Sequence, residues 1–252
     1  MWRQIKKDIQ KRDDKYVIAV SGGIDSMFAL HFVQRCLSKE QIVVATFDHG
    51  DHPDSRKFCE FVADYCKERN IQCEIGEGFT DVELFKQQGG IETMHRQQRY
   101  NFLNSVCKKF SINTIMTAHH LNDQIETILL RLFRGYPHQF LAMENSINYN
   151  VYRPFLEVER KTIERMVRYK NIPYMDDPTN VSMSYERNWL RHDIIPQLLK
   201  KRNIVKAMYN GLNKTRIIGE GYGYGNRDNP QRIDARSGKE IVDAFKLMLQ
   251  DS

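Results

Sequence analysis

The first half of the chain alternates two hydrophobic rhythms. Short apolar runs at residues 16–20, 42–47, 71–75 and 114–117 have the length and branched content of buried strands. Between and after them, residues 26–37, 55–69, 96–110 and 123–133 carry apolar positions at helical spacing. In the last of these, Ile125, Ile128, Leu129, Leu132 and Phe133 fall at i, i+3, i+4, i+7 and i+8, and Gly135 follows as a helix stop. The alternation predicts an α/β fold: a Rossmann-like parallel sheet with helices on both faces, followed by a small helical region. Such sheets bind ligands beyond the carboxyl ends of their strands. Three polar clusters are expected there: residues 21–26, Phe47-Asp48-His49 and Thr117-Ala118-His119-His120.

The second half has a different pattern. Residues 136–152 read as a linker or short hairpin, and 159–170 and 185–201 as basic, helix-rich stretches. Residues 220–231, EGYGYGNRDNPQ, predict a mobile loop, and 239–249 a short amphipathic helix.

Composition narrows the class only a little. The 252 residues are 41% hydrophobic and 28% charged, as in ordinary soluble proteins. No apolar run is long enough to span a bilayer and the polar start shows no secretory leader, so no membrane partner is expected. Cys36, Cys59, Cys66, Cys73 and Cys107 form no CxxC pair, which suits reduced cysteines in a cytoplasmic protein and argues against zinc or iron–sulfur sites. The net charge of +6 permits a nucleic-acid partner, although a solvated basic surface explains it equally well.

The most specific chemistry lies at Ser21-Gly22-Gly23-Ile24-Asp25-Ser26. A strand that ends in a glycine turn and opens a helix makes an anion site from backbone N–H groups and the helix dipole. Ser21 and Ser26 can add hydroxyl donors. Asp25 would repel a bare phosphate, so its natural role is to hold magnesium between phosphates. The pattern is neither Walker A nor GxGxxG. It has the SGGxDS form of the PP-loop, the pyrophosphate-binding signature of ATP pyrophosphatases, against the alternative of an ordinary strand–turn–helix corner.

Other clusters are read with their alternatives. Asp123 and Glu126 have capping-box spacing, yet they crowd the strand end that carries His119, His120 and Asn122. They, with Thr127, are expected on the face opposite the apolar stripe. Arg96 and Arg99 are read as opening a helix, where cations need an anionic partner: a triphosphate, an RNA phosphate or a carboxylate. Arg187 and Arg191 are four apart and share a helix face, the usual form of a solvated charged surface.

Taken together, residues 15–198 resemble the tRNA(Ile)-lysidine synthase family. The resemblance runs through SGGIDS at 21–26, His49, RQQRYNFL at 96–103, AHHLNDQIETILLRLFRG at 118–135, RPFLEVER at 153–160 and DPTN…RNWLR from 177 to 191. It implies a PP-loop catalytic domain over 1–136, a linker and helical extension contacting tRNA over 137–202, and a divergent tail over 203–252.

The resemblance also implies a reaction with ATP and Mg2+ as cofactors. ATP adenylates C2 of the wobble cytidine in tRNA(Ile) with a CAU anticodon, and free L-lysine then displaces AMP. At pH 7 only roughly one lysine amine in 2,500 is neutral, a deficit of about 4.6 kcal/mol that a nearby carboxylate helps to offset. On this basis Ser21, Gly22, Gly23, Ile24, Ser26 and His49 hold the nucleotide, and Asp25 binds magnesium. Asp123 and Glu126 hold the lysine or the metal, with one of them as base, and Arg99 stabilises the intermediate. Arg96, His119, His120, Arg187 and Arg191 meet substrate. The family leaves room for a homodimer.

The chain departs from the pattern at Asn122, where an aspartate is usual, at residues 50–53 and at Thr162, and its last fifty or so residues do not look like the family's C-terminal domains. The rival readings are a tRNA thiolase on the same scaffold and a non-catalytic nucleotide- or RNA-binding relative.

Overall fold

The computed structural model describes residues 1–13, 15–50, 54–78, 91–135, 143, 150–176, 186–201 and 207. The chain forms two compact units, Met1–His120 with Glu144–Pro178, and Leu121–Met143 with Thr179–Ser252.

The first unit is built on five strands: β1 (Tyr16–Ala19), β2 (Ile42–Asp48), β3 (Gln72–Glu77), β4 (Thr114–Met116) and β5 (Val151–Tyr152). Their order is β3-β2-β1-β4-β5, and every pairing is parallel. This is the Rossmann-like sheet that the alternation predicts. Its helices are α1 (Trp2–Arg12), α2 (Ile24–Val33), α3 (Ser55–Glu68), α4 (Ile91–Phe110) and α6 (Arg160–Lys170), with α5 belonging to the second unit.

The period-2 geometry of β1 sorts its side chains between two cores. Tyr16, Ile18 and Val20 join Met27, Phe28 and Leu30 of α2, Val62 of α3 and Ile163 and Val167 of α6. Val17 faces the other way, into a core with Val43, Ile115 and Tyr100, Leu103 and Val106 of α4. A one-residue slip would exchange the two sets, so burial fixes the register. Each fully buried side chain of this size contributes about 1.5–3 kcal/mol. Gly76 on β3 is set by the same packing: a Cβ there would lie 2.6 Å from the Phe102 ring of α4.

Two features differ from the sequence reading. The polar start is helix α1, whose minority apolar positions do the packing. Ile9 is fully buried, and the Trp2 ring lies 5.6 Å from both Phe28 and Phe32. At the end of the segment read as a linker or hairpin, Val151 and Tyr152 pair with Ile115 and Met116 in parallel. A hairpin would have made an antiparallel strand. The rest of that segment, apart from Met143 and Asn150, lies outside the described residues, as do the predicted loop at 220–231 and helix at 239–249.

In the second unit α5 (Leu121–Phe133) packs through Leu121, Ile125 and Leu129 on Leu190 and Ile195. These last two belong to a helical run made of α7 (Glu186–Trp189), a π-helical turn (Leu190–Ile194) and α8 (Ile195–Lys201). Pro196 has no N–H to give to the turn before it, and the widened turn lies immediately upstream. Gly135 ends α5 at φ +72°, the left-handed stop that the sequence predicts. Among the described residues, no helix is long and apolar enough to cross a membrane.

Candidate functional site

β1 leads directly into the glycine loop. Gly22 has φ +86°, and a Cβ there would stand 3.3 Å from the Phe58 ring and 3.4 Å from the Phe58 carbonyl oxygen. Glycine is therefore required twice, by conformation and by space. Gly23 is the N-cap of α2, which begins at Ile24, two residues earlier than the apolar spacing suggests. The serine hydroxyls brace the turn. The Ser21 N–H donates to Ser26 Oγ at 3.1 Å, the two hydroxyl oxygens are 3.2 Å apart, and Ser26 Oγ donates to the Gly23 carbonyl at 2.9 Å. The Met175 N–H clamps the loop from outside, donating to the Gly22 carbonyl at 3.0 Å. The first turn of α2 thus presents backbone N–H groups that have no acceptor within the helix, the usual makings of an anion cradle.

Asp25 sits in that first turn, where its charge complements the dipole. Its Oδ1 is buried without a hydrogen-bond partner, 3.6 Å from Nε2 of His120. Its Oδ2 is 3.8 Å from Nε of Arg160 at the start of α6. His120 is 1% exposed and follows β4, the neighbour of β1. The strand order turns back between β1 and β4, which makes this the switch point where open α/β sheets bind ligands. Beside it, His119 Nδ1 is 2.7 Å from Thr117 Oγ1, which fixes the ring.

His49, just beyond β2, stacks on His95 of α4 with centroids 4.7 Å apart and planes 29° apart. Arg96 and Arg99 lie on α4, with guanidinium carbons 4.7 and 5.9 Å from the centroid of the buried Tyr100 ring. Here the helix start is corrected. α4 begins at Ile91, so Arg96 and Arg99 stand in its second and third turns, where the N-terminal dipole no longer demands an anion.

The carboxylates of the second unit are already engaged. Glu126 is 1% exposed, and Arg191 grips it with two bonds, Nε to Oε1 at 2.8 Å and Nη2 to Oε2 at 2.9 Å. Arg191 Nη2 is also 3.6 Å from Asp123 Oδ1. Arg187 stands 3.9 Å from Glu126 and donates to Thr127 Oγ1 at 3.3 Å. The face of α5 opposite the apolar stripe is therefore covered, and Thr127 is buried as well. The capping-box expectation fails too. α5 starts at Leu121, which puts Asp123 inside the first turn and Glu126 beyond it, turned to the arginines. Arg187 and Arg191 do share a face, but that face meets carboxylates. Residues 177–180 and Tyr185 lie outside the described residues.

Four of the five cysteine thiols are held above their ordinary pKa. Burial pushes the Cys36 and Cys59 thiols up, and Cys107 to about 11. Cys73 is raised by its hydrogen bond with Cys66, which is lowered in turn.

A family model described as a PP-loop domain matches residues 1–198. The chain belongs to the PP-loop family. It is 40% identical over 191 residues to a tRNA(Ile)-lysidine synthase of Thermosipho africanus, covering 74% of this chain and 44% of that protein. A tRNA(Ile)-lysidine synthase of Thermotoga maritima is 38% identical over 208 residues, covering 80% and 50%. The resemblance visible in the sequence is thus borne out over most of the chain, which spans about half the length of these relatives. Among solved structures, the U34-tRNA thiolase NcsA of Methanococcus maripaludis, with its [4Fe-4S] cluster, superimposes with a TM-score of 0.71 at 15% identity, covering 93% of this chain and 83% of that one. That likeness shows the fold.

A PP-loop of this form implies ATP with magnesium, and the residues present fit the metal. Among the described residues no three histidine, cysteine, aspartate or glutamate side chains gather as ligands. Magnesium, however, usually takes one or two carboxylates and completes its shell with phosphate oxygens and water. The buried, unbonded Oδ1 of Asp25 suits that part. Arg160 is the neighbour that the sequence reading passed over. It closes the RPFLEVER block, and its position at the opening of an amphipathic helix was the available signal.

Proposed function

We propose that the protein joins free L-lysine to C2 of the wobble cytidine of tRNA(Ile) with a CAU anticodon, using ATP and releasing AMP and pyrophosphate. The observation that carries this reading is the similarity to tRNA(Ile)-lysidine synthases, at 38–40% identity through both compact units.

In this reading the PP-loop amides and the α2 dipole hold the polyphosphate. Magnesium, when bound, neutralises phosphate charge. Asp25 supplies its protein ligand, and His120 and Arg160 hold the Asp25 side chain in place. His49 lies at the carboxyl end of β2, on the same edge of the sheet as the loop, where it meets the nucleotide. Arg96 and Arg99 stabilise negative charge on the adenylated base. Asp123 and Glu126 attract the lysine ammonium and accept its proton, and Arg187 and Arg191 set how tightly they do so.

The test is incubation of the protein with ATP, magnesium, radiolabelled lysine and tRNA(Ile) bearing CAU, beside a methionine tRNA with the same anticodon. Label on the isoleucine tRNA alone, with AMP formed in step, is the expected result. No label despite ATP binding would overturn the proposal. Label on both would keep the chemistry and remove the assigned tRNA selectivity.

A further inference from the structure

The protein's positive charge is concentrated on two helices. α1 carries Arg3, Lys6, Lys7, Lys11 and Arg12 against Asp8, and α6 carries Arg160, Lys161, Arg165, Arg168 and Lys170 against Glu164. These twenty-two residues hold a net charge of +8, while the whole chain holds +6, so everything else sums to −2. Both helices lie against α2 in the first unit. The Trp2 ring of α1 packs tilted against Phe28 and Phe32, while Ile163 and Val167 of α6 share a core with Phe28 and Val33.

The cations form rows. Arg3, Lys7 and Lys11 follow one another at four-residue steps, and Lys161, Arg165 and Arg168 at four and three. Each row therefore lines one face of its helix, with steps of about 5–6 Å. Arg160 is tied to Asp25 and Glu164, and Lys161 to Glu159. Arg3, Lys7, Lys11, Arg165 and Arg168 are exposed and have no carboxylate partner among the described residues. Two open grooves lie along these helices. One, of about 520 Å3, is lined by Lys161, Glu164, Arg165 and Arg168, and the other, of about 420 Å3, by Asp8, Lys11, Arg12 and Tyr152.

We infer that the α1 and α6 rows are a docking surface for the phosphate backbone of RNA. Rows of cations, all but Lys161 without a carboxylate partner among the described residues, meet a regular polyanion by releasing its counterions. An aromatic ring stands among them: Tyr169 is 75% exposed, with Lys170 Nζ 4.6 Å from its ring centroid, a site where an unpaired base can stack. A lipid surface fits poorly, because Trp2, Ile5 and Ile9 of α1 pack inward and leave the helix no apolar face to insert. The surface deepens the proposed function by naming where its RNA is held, and it is testable apart from it.

The experiment replaces Arg3, Lys7, Lys11, Arg165 and Arg168 together with Glu, and in a second protein with Gln, which adds no repulsion. Binding of a fluorescently labelled, unmodified tRNA transcript is measured across a salt series. Affinity is expected to fall at least about tenfold near 0.1 M salt, and the slope of log K against log salt to flatten by two or more, at about 0.7–0.9 per lost phosphate contact. The Gln protein should move the same way by less, with its melting temperature kept because every changed residue is exposed. An unchanged slope and affinity in the Gln protein would overturn the inference. So would tighter binding of the parent protein to phosphatidylserine vesicles or an acidic peptide than to RNA. A flattened slope in a protein that never attaches lysine would keep this surface and sink the proposed reaction. Unchanged lysine transfer and salt slope in both variants would do the reverse.

Discussion

At the β1 loop the groups that meet an anion belong to the backbone, whereas in the second unit the charged side chains meet one another. Ser21 and Ser26 spend their hydroxyls on the turn, and what faces outward is amide and helix dipole. Glu126 is 1% exposed and held by a two-pronged guanidinium, with Asp123 and Arg187 close by. The loop is preorganised to receive a charge. The carboxylate cluster is neutralised within itself, so an incoming ammonium must share acids already claimed by two arginines. Substitutions at the loop should therefore act first on nucleotide handling, and those at the cluster first on stability.

The largest effect is expected at Asp25, the one side chain of the loop that keeps a buried, unbonded oxygen. Asp25→Asn should retain the fold and lower ATP-dependent AMP formation by about a thousandfold, near 4 kcal/mol in the barrier. Full activity in that protein would place the magnesium elsewhere and erase the contrast.

Glu126→Ala comes next. Removing one partner of a buried pair strands the other, and here Arg191 would lose both short bonds, with Asp123 at the longer distance of 3.6 Å. Urea unfolding should show a loss of about 3 kcal/mol. A Glu126→Gln, Arg191→Met double variant should cost about 1–3 kcal/mol less than the two single changes summed. An unchanged urea midpoint for Glu126→Ala would show a carboxylate free to serve substrate alone.

Gly22→Ala sharpens the loop side. With φ at +86° and Phe58 at 3.3 Å, the change should destabilise by about 1–2 kcal/mol. ATP affinity, measured by titration calorimetry, should fall about tenfold as the amides turn away. Stability lost without affinity would mean that the glycine serves packing only.

These differences track what could be read from the sequence. The sheet was legible because strand burial repeats along the chain and glycine geometry is local. Gly22, Gly23 and Gly135 announce their backbone before any tertiary contact exists. α1 was not, because its few apolar positions gain meaning only against Phe28 and Phe32, which are distant in sequence. The start of α4 was misplaced for a related reason. Its first turn precedes the apolar stripe, so spacing begins the helix at Arg96 where hydrogen bonding begins it at Ile91. The Glu126 pairing spans 65 residues, and no local rule separates a solvated Arg187 and Arg191 from a pair that grips a buried carboxylate.

The smallest effect concerns α2 itself, the helix whose N-terminus forms the loop. His31, in its last turn, has a buried Nε2 without a hydrogen-bond partner. Its pKa is lowered below the usual 6.5, first by burial and then by the charges of Arg35, Arg69 and Lys170. The unfolded chain takes up this proton near pH 6.5 and the folded chain only at lower pH. Between those values the unfolded state binds more protons, so stability rises with pH and is lost on acidification. The contribution is complete above about pH 6.5 and is lost as pH drops through the folded value. Urea unfolding at about pH 7.5 and about pH 5 should show a smaller acid-induced loss in His31→Gln than in the parent protein. Equal losses would move the acid sensitivity off α2. A smaller loss in the variant would mean that the helix presenting the anion loop also carries a proton-linked strain, set first by burial of the His31 ring and then by the charges of Arg35, Arg69 and Lys170.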